Sequence, residues 1–400
     1  MNEPKIRFKG FNGEWKKSPL KKFFSKVTER NSNLSYTAVL TNSAEYGIID
    51  QRDYFDFDVA NSSSIGGYYV VRPNDFVYNP RVSVTAPVGP INRNMLGYPG
   101  VMSPLYLVFK IEGINKDFLC HYYKTNKWHR FMRLSGNCGA RFDRLSVSDD
   151  QFVKMPIICP ADTNEQEIIS KYLYNIDSLI AACGARIGAL RQVKEASLQA
   201  MFPQEGETAP KVRFKGFTGE WRKVKLGEIF TERAESDVNG EMLSVTMHDG
   251  IIKASENGRF DNSNSDKSNY KLVLKDDIAY NSMRMWQGAS GWSPYRGIVS
   301  PAYTVVTPNE GVDSKFFAFY FKTNEVIEKF RLHSQGLTKD TWNLKYPAFS
   351  KISILYPKNE SEQQKIAAYF TALDRKITLQ TQRLEKLKQI KAACLDKMFV

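Results

Sequence analysis

The stretch KIRFKGFNGEW at Lys5 to Trp15 returns as KVRFKGFTGEW at Lys211 to Trp221, with nine of eleven positions identical and an offset of 206 residues. Chance does not produce such a match, so the chain has to fold as two copies of one scaffold. Later anchors keep the same order at an offset of 197. Glu165-Gln166 recurs as Glu362-Gln363, and Met201-Phe202 as Met398-Phe399. A period near 200 marks a duplicated domain and is far too long for a solenoid, whose units run to roughly 20–50 residues. The 400-residue length agrees, since one hydrophobic core rarely grows that large.

Between the anchors the match is patchy. Gly47-Ile-Ile pairs with Gly250-Ile-Ile, Tyr78-Asn79 with Tyr280-Asn281, GVMSP from Gly100 with GIVSP from Gly297, and Lys-Thr-Asn recurs at Lys124 and Lys322. Residues 80–97 and 282–295 hardly match, so one scaffold carries two different surfaces. Short β-like runs with turn signals make these parts mixed α/β. Tyr68-Tyr-Val-Val, Arg72-Pro-Asn-Asp and Phe76-Val-Tyr read as strand, turn and strand, and Ser314 to Leu332 reads as helix.

The last forty or so residues of each half differ in kind. Leu373, Ile377, Gln380, Leu384, Leu387, Lys391, Cys394 and Met398 fall at alternating four- and three-residue steps. Ile169, Leu173, Ile176, Ile180, Cys183, Ile187 and Leu190 keep the same rhythm in the first half. Each set draws a narrow apolar stripe along a long helix, and two such helices can satisfy one another as a coiled coil. Asn164 and Ser361 are the expected caps, after Pro160 and Pro357. A helix from Glu362 to Phe399 would be about 57 Å long, enough to act as a ruler. The expected organisation is a first domain over 1–160, a helix over 161–202, a polar linker over 203–210, a second domain over 211–358 and a second helix over 359–400.

Lysine and arginine outnumber aspartate and glutamate by 56 to 43, which gives a net charge of +13 and favours a polyanionic partner. The opening Met1-Asn-Glu-Pro-Lys lacks a basic region followed by an apolar run, and no stretch nears the roughly 20 apolar residues of a membrane span. The five cysteines show no CxxC spacing. A cytoplasmic protein with reduced thiols and no zinc is expected. Catalytic signatures are missing. Tyr78-Asn-Pro-Arg holds one proline where an amino-methyltransferase motif holds two, and no GxxxxGK[ST] loop is present to bind ATP. His121 and His129 lack the close ligand pairs of a zinc site, and no triad signature surrounds Cys138, whose place in the second copy is taken by Leu337. The reading is a non-catalytic protein.

The RFKGFxGEW opening of each half, the Glu-Gln start of each long helix, Asp177 and Asp374 within them, and the Met-Phe ends together resemble the specificity subunit of bacterial type I restriction-modification systems. The likeness covers nearly the whole chain. It implies two tandem target recognition domains of mixed α/β fold, separated by two antiparallel helices, each domain reading one half of a bipartite site in double-stranded DNA. It further implies methyltransferase subunits that bind S-adenosylmethionine, and restriction subunits that use ATP and Mg²⁺, with none of these cofactors bound by this chain directly. Leu173, Ile176, Ile180, Ile187, Leu190, Leu373, Ile377, Leu384, Leu387 and Met398 would form the coiled coil. The rival expectation is a stand-alone DNA-binding module or regulator without enzyme partners.

Base edges are read by Arg, Lys, Asn or Gln, and phosphates by a wider set. The loops that differ most between the copies therefore nominate Asn79, Arg81, Ser83 and Thr85 in the first half, and Asn281, Arg284, Trp286 and Gln287 in the second. A later loop in each half adds Arg141 and Arg144, then Lys339 and Asn343. Phe142 and Trp342 beside them are expected to be core anchors, and Trp15 and Trp221 structural.

Overall fold

The computed structural model describes residues 2–53, 65–138, 143–247, 250–256 and 266–400, and the chain forms two compact units, Met1–Cys183 with Arg383–Val400, and Gly184–Gln382. Each unit is mixed α/β, and the main sheet recurs with the same strand order. In the first, an antiparallel sheet runs in the order Phe24–Lys26, Leu107–Ile111, Phe76–Tyr78, Ile91–Arg93. In the second, the order is Phe230–Glu232, Tyr303–Pro308, Ile278–Asn281, Ser290–Trp292. Asn74 and Asp276 have positive φ at the turns leading into Phe76–Tyr78 and Ile278–Asn281, a conformation that Asn and Asp accept more readily than most residues. The expected strand, turn and strand are present, although Tyr69–Val71 pairs with Gly100–Met102 and not with Phe76–Tyr78.

The helix expected over 314–332 is two helices, Ser314–Tyr320 and Asn324–His333. The Thr323 hydroxyl donates to the Tyr320 carbonyl at 2.8 Å while its backbone turns extended, which ends the first helix. Thr125 does the same to Tyr122 at 2.7 Å. The recurring Lys-Thr-Asn is therefore a helix stop.

The opening motif joins each mixed α/β fold to a long helix. Just after it, Lys16–Pro19 pairs with Pro156–Cys159, and Arg222–Lys225 pairs with Ser353–Tyr356, so the two ends of each fold meet. Arg7 then makes a two-pronged ion pair with Glu165 at 2.7 and 2.8 Å, and Arg213 with Glu362 at 2.5 and 2.8 Å. Gln166 accepts from the Asn115 amide and Gln363 from the Asp313 amide, tying each helix start to the cap of a neighbouring helix. Trp15 and Trp221 are buried, as expected.

The long helices span Thr163–Ala200 and Glu360–Lys397, 38 residues each. Their caps differ from expectation: the Asp162 side chain accepts from the Asn164 amide, and Asn359 from Ser361. Both helices begin one residue after these acceptors, so Asn164 and Ser361 lie already inside the first turn. Each unit contains the start of one helix and the end of the other. In the first unit Ile169, Leu173 and Ile176 share a core with Cys394, Met398 and Phe399, with Ile180 half-buried beside them. In the second, Phe370 and Leu373 share a core with Met201 and Phe202, with Leu190 and Leu198 against it.

Within each unit the two helix segments run antiparallel. Lys391 meets Asp177 in the first, and in the second Lys194 meets Asp374 at 2.5 Å while the Ser197 and Tyr369 hydroxyls bond at 2.9 Å. Lys391, which interrupts the apolar stripe in sequence, thus finds its carboxylate on the facing helix. Ile187 is buried, Ile377, Leu384 and Leu387 are half-buried, and Arg383, Glu385, Lys386 and Lys388 are exposed. Among the described residues no helix is long and apolar enough to cross a membrane.

Glu165 and Glu362 are only 2% and 1% exposed, so truncating either leaves a largely buried guanidinium unpaired. Glu165→Ala and Glu362→Ala should each cost about 3 kcal/mol, read as a lower denaturation midpoint of the unit concerned. A loss below about 1 kcal/mol would mean that the pair does not hold helix to domain.

Candidate nucleic-acid interface

The two loops nominated separately in each half come together in each unit. In the first, Tyr78 ends a sheet strand, and its hydroxyl donates to the carbonyls of Val88 and Leu145, both at 3.1 Å. Asn79 donates to the Asn42 carbonyl at 3.0 Å and accepts from the Arg81 amide at 2.9 Å. Gly89 has φ +80°, and a Cβ there would stand 2.1 Å from the Asn79 carbonyl oxygen, so glycine is required for the loop to close. The loop then runs beside the second one. Leu145 donates to Pro80 at 2.8 Å, Val82 to Asp143 at 3.0 Å, and Arg81 stands directly opposite Arg144 in an antiparallel bridge.

Arg81, Ser83, Thr85 and Arg144 are exposed. The Ser83 hydroxyl accepts from the Ala86 amide at 3.0 Å and lies 3.2 Å from that of Thr85, which fixes the loop tip. A cavity of about 650 Å³ opens beside the two arginines, walled by Asn42, Gln51, Tyr68, Ser103 and Tyr106. Among the described residues neither arginine has a carboxylate within ion-pair distance. Arg141 and Phe142 lie outside the described residues.

The second unit repeats the plan with other side chains. Asn281 accepts from the Met283 amide at 3.0 Å, and Leu344 donates to Ser282 at 2.8 Å, the counterpart of Leu145 to Pro80. The later loop is closed by two Gln335–Asn343 backbone bonds of 2.9 and 2.8 Å. Trp286 and Trp342 meet edge to face at 5.3 Å, joining the loops. Trp342 is thus a half-exposed brace between loops, where the sequence suggested a core anchor. Arg284 and Lys339 are exposed without a carboxylate partner among the described residues, Gln287 is half-buried, and the Asn343 side-chain oxygen is buried without a partner there.

The repeated Tyr-Asn pair is therefore a turn device. Asn79 spends its amide and carbonyl inside the fold, and Asn281 spends its carbonyl there, so the outward-reaching groups are those of Arg81, Arg144, Arg284 and Lys339. Sequence reasoning passed over Val84 and Leu337, which stand fully exposed on the same loops. They lie among polar residues, and periodicity gives no signal there.

Residues 218–389 match the family model of the Type I restriction modification DNA specificity domain. A 136-residue stretch, 32% of this chain, is 30% identical to the Type I restriction enzyme HindI specificity subunit of Haemophilus influenzae, and it spans 29% of that relative. In fold, the chain resembles the S subunit of a type I restriction-modification system from M. genitalium, with TM-score 0.60 at 15% identity, covering 100% of this chain and 99% of the other. The chain is thus similar to type I restriction-modification specificity subunits, in sequence over residues 218–389 and in fold over its length.

His121 is fully buried, packs edge to face on Tyr174 at 4.6 Å, and finds no hydrogen-bond partner for either ring nitrogen among the described residues. Burial, reinforced by Lys124, pushes its pKa down to about 4. Among the described residues no three His, Cys, Asp or Glu side chains gather into a group able to hold a metal. Below the ordinary value of 6.5 the unfolded chain takes a proton that the folded one refuses, down to about pH 4. Stability should therefore fall as pH drops through that window, by up to about 3 kcal/mol from this residue. His121→Phe should flatten the fall in a pH series of thermal midpoints, and an unchanged slope would place the acid sensitivity elsewhere.

Proposed function

We propose that this chain is the sequence-specific DNA-binding subunit of a type I restriction-modification complex, acting in the bacterial cytoplasm. Each unit reads one half of a bipartite site, and the two long helices, shared by both units, set the gap between the halves. The chain docks the methyltransferase and, through it, the restriction subunits. S-adenosylmethionine belongs to the methyltransferase and ATP with Mg²⁺ to the restriction subunit, so this chain contributes recognition and no catalysis.

The observation that carries the reading is the Arg81–Arg144 pair. Like charges directly opposite one another on adjacent strands are destabilising, and among the described residues no carboxylate lies within ion-pair distance of either. An anion between the two removes the repulsion, and a DNA edge or backbone supplies one. Two guanidiniums can take a guanine by its O6 and N7 or clasp phosphates. Arg284 and Lys339 offer the same charge in the second unit, and the net charge of +13 adds long-range attraction.

The test is to co-express the chain with its methyltransferase and sequence the methylated adenines of host DNA. One bipartite motif is expected, and exchanging residues 1–157 for another recognition domain should change one half of it alone. A soluble complex supplied with S-adenosylmethionine that methylates nothing would favour the stand-alone DNA-binding module. In binding assays Arg81→Ala or Arg144→Ala should weaken specific binding by about 1–3 kcal/mol where a base is read. Unchanged affinity in both variants would remove this pair from the interface.

A further inference from the structure

Among the described residues two large apolar side chains are wholly bare, Val84 and Leu337, each at 101% of its reference area, and the next, Leu134, is at 78%. Water is a poor place for an aliphatic group, and a protein of this size has ample core to receive one. Both lie on the loops just described, one in each unit. Val84 sits between Ser83 and Thr85 and shares its loop pair with Arg81 and Arg144. Leu337 opens the turn that carries Lys339 and adjoins the Arg284 loop.

Neither loop is slack. The Ser83–Ala86 turn is held by amide-to-carbonyl bonds of 3.0 and 3.2 Å. The 338–341 turn is held by the Thr341 amide on the Thr338 carbonyl at 3.0 Å and the Thr338 amide on the Thr341 hydroxyl at 3.1 Å. Each loop therefore presents its aliphatic group at a fixed place and also carries a cation without a carboxylate partner among the described residues.

We propose that Val84 and Leu337 are specificity-determining residues that each contact the C5 methyl of a thymine in the major groove, Val84 in the half-site read by the first unit and Leu337 in the other. The proposal rests on the DNA-reading function given above. The thymine methyl is the apolar feature of that groove, and it is recognised by apolar contact, which an exposed aliphatic side chain supplies. The residues that flank each along its loop are polar: Ser83 and Thr85 on either side of Val84, and Thr338, Lys339 and Asp340 after Leu337. That setting matches a polar DNA edge better than the apolar centre of a protein contact.

The assembled complex with its methyltransferase provides the test. Methylated-adenine sequencing defines the half-sites, and the domain exchange assigns each to its unit. Duplexes are then made with single thymines replaced by deoxyuridine, which removes one methyl group and nothing else. Wild-type binding should weaken about three- to tenfold at one thymine in each half-site. Leu337→Ala should lose that sensitivity in the second unit's half-site and keep it in the first, and Val84→Ala should do the converse. Both variants should keep the wild-type thermal midpoint, because neither side chain is packed in the fold. Uridine responses that survive in both variants, or no sensitive thymine at all, overturn the proposal. So does weaker binding by the variants with an unchanged uridine response, which would mark a wedge or a protein contact. All three outcomes leave a bipartite methylated motif, and with it the DNA-reading function, in place. Absence of any methylated motif removes that function as well.

Discussion

The two-pronged Arg–Glu pair between the opening motif and the long helix is the contact on which each half depends. It needs a guanidinium fork at Arg7 or Arg213, a carboxylate at the helix start in Glu165 or Glu362, and a paired strand to bring chain segments about 150 residues apart into register. The carboxylate lies in the first turn, where the helix dipole also favours a negative charge. The same fork bonds the Gly13 or Gly219 carbonyl, and both glycines have positive φ, which explains the glycine of the GEW motif. A short sequence motif is therefore retained in both halves because several geometric demands meet in it.

With that junction fixed, the sheet edges are free to carry different loops. The loop roots are similar devices: a tyrosine at or next to a strand end, an asparagine whose side-chain carbonyl holds the next turn, and backbone bonding to the later loop. Beyond the roots the copies part. The first unit has an arginine pair beside a polar cavity, and the second has a tryptophan brace with separate cations. One scaffold thus presents two different loop chemistries.

Much of this was legible in the sequence because duplication doubles every signal. The repeat, the heptad stripes and the Tyr-Asn roots were all read from spacing, since backbone geometry imposes a period on the residues that serve it. The break at Thr323 was not, because an apolar run such as Phe316 to Phe330 keeps helical spacing across a stop that depends on one hydroxyl. Nor were the caps, which moved back to Asp162 and Asn359. Asn79 and Asn281 read as DNA contacts because amides suit base edges, and only three-dimensional placement shows those amides committed to turns. The cross-strand approach of Arg81 and Arg144 joins positions 63 residues apart, and no local pattern announces it.

The exposed tips are separate from the groups that hold the fold together. Stability is held by buried groups such as Trp15, Trp221 and the helix stripes, and a change there costs packing or an ion pair. Val84, Leu337, Arg81 and Lys339 bear little of that load, so exchanging them changes what the surface meets while leaving the core intact. Surface substitutions of this kind usually shift stability by less than about 0.5 kcal/mol. The separation lets the loop tips vary while the Arg–Glu junctions and the paired helices remain as they are.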